Sequence, residues 1–267
     1  MNKPFFICGH PRSGTSLVYN HIIAAFKLAP LPETQFFNQI YGLDNAEALA
    51  RLTGKYFDHD LSDWLATDGR DPSQRKRFES LIAALGVPAD DIKKQDFAEK
   101  TPDNIIYIKR VRELYPDAYF IFCIRDPRSV ISSEIRIGEW AKSPTFRCLK
   151  WIRSALIWIT GNYNGSVICY EQFVKDPQVC ISTLESETGM SAGEITDELL
   201  QVVSEKTITS KEHWRENSGA IQERKPLPSV KLGFIPSLLI FFLMNPIYQF
   251  LKHQSVGPPE GSSETSV

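Results

Sequence analysis

The chain is 267 residues long, 42% hydrophobic and 23% charged, with a formal net charge of −2. That length and apolar content suit one large α/β domain with a substantial core. A balance this close to neutral excludes a general nucleic-acid binder, so any anion site has to come from local clusters of basic residues.

The first element, Phe5 to Cys8, is a short apolar run that reads as a buried strand. Gly9, His10, Pro11, Arg12, Ser13 and Gly14 follow as a tight loop. Thr15 to Lys27 then carries Leu17, Val18, Ile22, Ile23 and Phe26 at near-helical spacing. Strand, Gly-bounded loop and helix together make an anion cradle, because N–H groups of the loop and helix start converge on one spot and the helix dipole favours negative charge there. The spacing Gly9, four residues, Gly14, Thr15, Ser16 matches most of a nucleotide-binding P-loop. Thr15 stands where that motif has its Lys, and the cation is instead Arg12, inside the loop. This argues against Mg-nucleotide chemistry, in which the Lys reaches the terminal phosphates. With the first strand a few residues from Met1, the expectation is that no leader or membrane stem precedes the fold.

Ala29 to Phe37 is punctuated by prolines and reads as irregular, with Glu33 between apolar neighbours. From about Ala46 to Gly86 the pattern is helical. Asp71-Pro72 reads as a helix start, and Phe78, Leu81, Ile82 and Leu85 form an apolar face. A helical insertion or lid-like layer over about 45–95 is expected. Asp96 to Lys100 reads as a short strand, and Thr101-Pro102-Asp103 opens a helix ending near Tyr115-Pro116.

Ala118 to Ile124 is the clearest strand, its seven apolar residues implying burial on both faces. Asp126 can cap the next helix, with Pro127 in its first turn. Arg125, Ser129 and Ser133, spaced by four, can share one side of that helix start and suit a terminal phosphate. A helix over roughly Pro144 to Tyr163 places Trp151, Ala155, Leu156, Trp158 and Ile159 in the core. Ser166 to Tyr170 reads as another buried strand, and Asp176-Pro177 starts another helix. Alternating strands and helices argue for a three-layer, doubly wound parallel sheet. Ligands of such sheets gather at the C-terminal strand ends, which places Arg12, Lys100, Arg125 and Tyr170 on one rim.

Lys206 to Lys231 is polar and basic, a flap over an anionic ligand or a solvated face. Gly233 to Leu251 is uncharged and near the length of a spanning helix. Pro236, Asn245 and Pro246 favour a packed terminal helix or a homodimer contact over a membrane anchor, and membrane-surface association stays open. Gly257 to Val267 has the composition of a disordered tail. The boundaries expected are thus 1–232 for the domain, 233–256 for the apolar segment and 257–267 for the tail. The cysteines, Cys8, Cys123, Cys148, Cys169 and Cys180, form no CxxC pair. They read as reduced, mostly buried thiols of a cytoplasmic protein.

Four motifs in this order resemble the sulfotransferases that use 3′-phosphoadenosine 5′-phosphosulfate. PRSGTS, Pro11 to Ser16, is similar to their 5′-phosphosulfate loop, in the Arg-containing version of tyrosylprotein and many bacterial members. IRDPRSVISS, Ile124 to Ser133, is similar to their 3′-phosphate motif, with Arg125 and Ser133 eight residues apart. CYEQFVKDP, Cys169 to Pro177, resembles the strand whose Tyr neighbours the adenine, which implies Tyr170. EKTP, Glu99 to Pro102, recurs in the family and brings in Lys100. The resemblance covers about Phe5 to Pro177. The glycine-rich cofactor segment of cytosolic small-molecule sulfotransferases is not evident near Lys206 to Lys231, and Arg136 lies one residue out of register with a further Arg of tyrosylprotein enzymes.

The resemblance implies a P-loop NTPase-like sulfotransferase fold and in-line transfer from the nucleotide to a hydroxyl or amine, with no metal. It implies donor contacts from Pro11, Arg12, Ser13, Gly14, Thr15, Ser16, Arg125, Ser133 and Tyr170. Arg12 would stabilise the bridging oxygen, Lys100 would hold sulfonate oxygens, and Glu33 would be the base, with His10, His21 and His59 as rivals. The acceptor, whether small molecule, glycan or lipid, is not fixed. A P-loop kinase or a non-catalytic nucleotide-binding module are the competing readings.

Overall fold

Among the described residues, the segments that read as strands form one four-stranded sheet, parallel throughout, with strand order β2-β1-β3-β4. Its strands are β1 (Phe5–Gly9), β2 (Ala98–Lys100), β3 (Tyr119–Ile124) and β4 (Gly165–Cys169). The computed structural model describes residues 3–56, 60–137, 143–207, 230 and 232–257. Register pairs Phe5 with both Ala98 and Tyr119, and Phe120 with Gly165. The strand order reverses direction between β1 and β3, the kind of switch point at which α/β sheets open a crevice.

In chain order the helices are α1 (Thr15–Phe26), α2 (Ala46–Tyr56), α3 (Ser62–Ala66), α4 (Gln74–Ala84), α5 (Ala89–Lys94) and α6 (Ile108–Leu114). They continue with α7 (Pro127–Ile137), α8 (Pro144–Thr160), α9 (Tyr170–Lys175), α10 (Pro177–Thr188) and α11 (Asp197–Thr207). The last, α12 (Phe234–His253), is continuous and contains a π-helical stretch at Ile240–Met244.

Alternation along each strand splits the core into two halves. Phe5, Ile7, Tyr119, Ile121, Cys123 and Ile168 face α1, α9, α10 and α11. Phe6, Cys8, Phe120, Phe122, Val167 and Cys169 face α4, α6, α7, α8 and α12. The result is the three-layer α/β sandwich expected from strands without a polar face. Phe6 sits at the centre of the second half, ringed by Phe37, Phe78, Phe97, Tyr115 and Phe120 at centroid separations of 5.7–6.4 Å. Truncating such a ring to Ala removes about 3–5 kcal/mol of stability.

Several expectations shift locally. The helix expected from Pro102 to Tyr115 is broken: a 3₁₀ turn covers Pro102–Ile105, Tyr107 leaves helical angles, and α6 starts at Ile108. The start of α4 is capped by Ser73, whose Oγ accepts from Lys76 N at 3.4 Å, while Asp71 caps the turn before it by accepting from Ser73 N at 2.7 Å. Leu156, expected in the core, is 45% exposed, because α8 buries only the stripe through Cys148, Trp151 and Ala155. Tyr170 opens α9 rather than ending β4. Asp126 and Asp176 do cap α7 and α10, accepting from Ser129 N at 2.8 Å and Val179 N at 3.1 Å. All five cysteines are buried and unpaired. Most of the basic stretch read as a flap or solvated face, and the tail beyond Gly257, lie outside the described residues.

Candidate active site

The loop between β1 and α1 is built by backbone geometry that few residues allow. Gly9 has φ +154, and a Cβ there would lie 2.5 Å from the Cys123 carbonyl oxygen, so only glycine lets β1 leave the sheet beside β3. Arg12 takes a left-handed conformation, φ 72, and Ser13 N donates to His10 O at 3.1 Å. Gly14, with φ 88, is the N-cap residue of α1, and no side chain caps that end. The first N–H groups of α1, from Thr15 and Ser16, are therefore left at the loop mouth, where a helix start favours negative charge. Ser13 and Thr15 are buried, while Pro11, Arg12, Gly14 and Ser16 are partly exposed.

The strand order lines the rest of the rim. Lys100 ends β2, the loop follows β1, Arg125 follows β3 and Tyr170 follows β4. Arg125 lies 4.2 Å over the Tyr170 ring and donates from Nη1 to Arg12 O at 3.4 Å. Arg12 Nε donates to Ser133 Oγ on α7 at 3.1 Å. The loop and the Arg125–Ser133 segment, read from sequence as separate anion sites, thus touch through Arg12. Behind Tyr170, Glu171 accepts from Asp126 N at 2.9 Å and from Tyr248 of α12 at 2.9 Å, which ties the C-terminal helix to the same strand ends.

On the β2 side, Lys100 is buried, contacts the Glu33 carboxylate and donates to Ser16 Oγ at 3.4 Å. The other Glu33 oxygen accepts from Gln35 Nε2 at 2.8 Å. The irregular segment carrying Glu33 is fixed at both ends by residues that sequence reasoning missed. Tyr19 of α1 accepts from Leu31 N at 2.8 Å and faces Leu31 O at 3.0 Å and Ala98 O at 3.3 Å. Glu99, fully buried in β2, accepts from Thr34 N at 3.3 Å, Thr34 Oγ1 at 2.7 Å and Thr101 Oγ1 at 2.6 Å, and from Asn104. Burial pushes the Glu99 carboxyl up, and the hydrogen bonds from Thr101 and Thr34 only partly offset it. A carboxylate in mid-strand is itself the signal, since a buried charge of that kind demands partners.

Of the rival bases, His21 and His10 face other partners. His21 lies along α1 with Nδ1 2.9 Å from Leu17 O and its ring against Phe173, and burial lowers its pKa. His59 lies outside the described residues. His10 is buried, with Nε2 3.3 Å from Glu134 Oε2, and Arg147 lies 3.5 Å from the same oxygen. Burial pushes the Glu134 carboxyl up, but His10, Arg147 and Lys150 outweigh it and leave it below the usual value. Burial raises the Cys148 and Cys169 thiols to about 11 and Cys180 to about 12, so these behave as inert core groups. Among the described residues no group of three or more His, Cys, Asp or Glu is placed to hold a metal ion.

Comparisons with known proteins agree with this architecture. A profile described as "Sulfotransferase family" matches residues 4–192. The sulfotransferase domain of the Synechococcus PCC 7002 olefin synthase superposes with a TM-score of 0.53 at 17% identity, covering 90% of this chain and 94% of that one. The sulfotransferase domain of the curacin biosynthetic pathway gives a TM-score of 0.51 at 17% identity, covering 98% and 94%. No curated protein sequence matches significantly.

Proposed function

The chain belongs to the sulfotransferase family, and from that premise we propose that it transfers a sulfuryl group from 3′-phosphoadenosine 5′-phosphosulfate to a hydroxyl or amine acceptor. The acceptor atom attacks sulfur, the bond from sulfur to the 5′-phosphate oxygen breaks, the acceptor proton passes to Glu33, and 3′,5′-adenosine bisphosphate leaves. The transferred group carries less charge than a phosphoryl group, and this chemistry needs no metal.

The strand order supports an ordered assignment along the rim. Tyr170 on the β4 side takes the adenine, Arg125 and Ser133 take the 3′-phosphate, the loop from Pro11 to Ser16 takes the 5′-phosphosulfate, and Lys100 with Glu33 faces the acceptor. As the bridging oxygen gains charge, Arg12 and the N–H groups at the start of α1 stabilise it; donors aimed at developing charge supply most of the barrier lowering in such transfers. Lys100 holds the sulfonate oxygens. The single observation that carries this reading is that Lys100 bridges Glu33 and Ser16. It ties the base to the first turn of the anion-binding helix, so base and cradle share one frame and proton transfer needs no search. The unpaired thiols support a reducing compartment, the cytoplasm, as the working site.

The test is incubation of the full chain with radiolabelled donor and a mixed library of sugars, phenols, lipids, peptides and amines. Label transfer that survives chelation of divalent cations supports the assignment. Turnover of Mg-ATP with no sulfuryl transfer to any acceptor would overturn it.

A further inference from the structure

α12 buries one stripe and leaves the rest bare. Ile240, Met244, Tyr248 and Leu251 pack into the core, while Phe234 is 78% exposed, Phe241 67% and Phe242 64%. Ile235, Leu238, Leu243 and Phe250 are also exposed. Only 28% of the most apolar window of this helix is buried, which distinguishes it from a core helix. The helix lies against α8, which exposes Phe146, Leu149 and Leu156 in turn. Large apolar side chains left bare along one helix and its neighbour mark an interaction surface.

The helices that carry this face are poor in acidic residues. α7, α8 and α12 together contain a single acidic residue, Glu134, and it is buried against His10 and Arg147. Their exposed charged groups are Arg128 and Arg136 on α7 and Arg153 on α8, and the partly exposed Lys252 lies near the end of α12. This is a cationic, apolar face on a chain whose net charge is −2.

The placement also relates the face to the site. Tyr248 meets Glu171 just past the end of β4, whereas Ser255 pairs with Val167 inside the strand. α12 therefore runs antiparallel to β4. Its first half lies toward the strand ends, the side of the rim that carries the loop, Arg125 and Tyr170.

We propose that this face docks the protein on a membrane surface rich in anionic lipid, with the first half of α12 lying in the interface. Phe and Leu side chains on a helix flanked by Arg and Lys fit the boundary between headgroups and acyl chains. A second copy fits less well, because two-fold pairing would set the same cationic helices against themselves. The stripe packed on the core keeps lipid from surrounding α12, so the helix lies on the bilayer and does not cross it.

The experiment is flotation of the full chain with vesicles of phosphatidylcholine alone or with phosphatidylglycerol, for the native protein, Phe241→Gln/Phe242→Gln and Arg153→Gln. These side chains are exposed, and circular dichroism checks that the variants fold. Binding to the anionic vesicles should exceed binding to neutral ones at least about tenfold, and the double variant should lose at least about tenfold. Arg153→Gln should give a smaller, salt-sensitive loss. No flotation with either vesicle overturns the proposal, and a dimer in sedimentation that the double variant dissociates assigns the face to a second copy instead. Equal binding to both vesicles would remove the anionic lipid from it. Resistance to alkaline extraction would replace surface docking with a spanning helix.

Discussion

The Tyr170 ring edge packs against Gly14: a Cβ at position 14 would lie closer to Tyr170 Cδ2 than carbon atoms approach. The same ring carries the Arg125 guanidinium on its face. Gly14 is therefore required twice, by its left-handed φ of 88 and by the ring, which links the end of β4 to the start of α1. Gly14→Ala should cost about 1–3 kcal/mol through strain and push Tyr170 and Arg125 out of register. Affinity for 3′,5′-adenosine bisphosphate should fall more than stability does. Calorimetric titration beside a urea melt checks this, and native affinity in a folded variant would contradict it.

Arg12 is expected to act on the chemical step. Its guanidinium reaches Ser133 from the loop, so it stands between the loop and the Arg125–Ser133 segment, the two proposed phosphate sites. Arg12→Ala should lower kcat by about a hundredfold or more, the scale of losing one charge-stabilising donor. Single-turnover rates at saturating donor make the comparison. A variant that loses affinity alone and keeps full turnover would shift Arg12 from catalysis to binding.

Glu33 as base and Tyr19 as its support give different kinetic signatures. Glu33→Gln should reduce kcat by about 10²–10⁴-fold with little change in nucleotide affinity. Tyr19→Phe removes the hydroxyl that accepts from Leu31 N, and so loosens the segment without touching the reacting atoms. It should lower kcat less and leave the shape of the pH profile unchanged. Unchanged kcat in Glu33→Gln would remove it as the base.

β1 and β3 are legible in the sequence because their runs are apolar on both faces, and the cradle because glycine at positions 9 and 14 announces a turn. The pinning of Glu33 is not, because its supports are distant in sequence. Thr34 meets Glu99 across 65 residues, and Tyr19 meets Ala98 across 79. Tyr19 also reads as an ordinary core residue, since its ring is buried and only the hydroxyl works. In the first half of α12, Phe234 to Met244, nearly every residue is apolar, so periodicity there cannot choose the stripe that packs. The packed stripe includes Tyr248, whose hydroxyl donates to Glu171 at 2.9 Å, a partner distant in sequence. His10 faces Glu134 for a similar reason: the carboxylate comes from α7, and loop sequence alone does not reveal it.

Two carboxyls give opposite pH dependences. Glu99 titrates above its unfolded value in the folded chain, so folding binds a proton between the two values and stability falls as pH rises through that interval. Glu134 titrates below its unfolded value, so its contribution is present above the usual carboxylate range and is lost as pH falls through the lowered value. In urea unfolding from about pH 4 to 7, Glu99→Gln should gain on the native protein as pH rises. Glu134→Gln should be the less stable at neutral pH, with the gap closing in acid. Profiles parallel to the native one would contradict both assignments.

The central claim is that one adenosine nucleotide is held at both ends, by the loop at Pro11–Ser16 and by Arg125 with Ser133. Titration of the native chain and of Arg125→Ala with 3′,5′-adenosine bisphosphate and with 5′-AMP, in EDTA, tests it most directly. The account predicts that removing the 3′-phosphate costs the native protein at least about tenfold in affinity, or 1.4 kcal/mol, and that Arg125→Ala erases the difference. Equal affinity of the native chain for both nucleotides, or binding only when Mg²⁺ is restored, would contradict it.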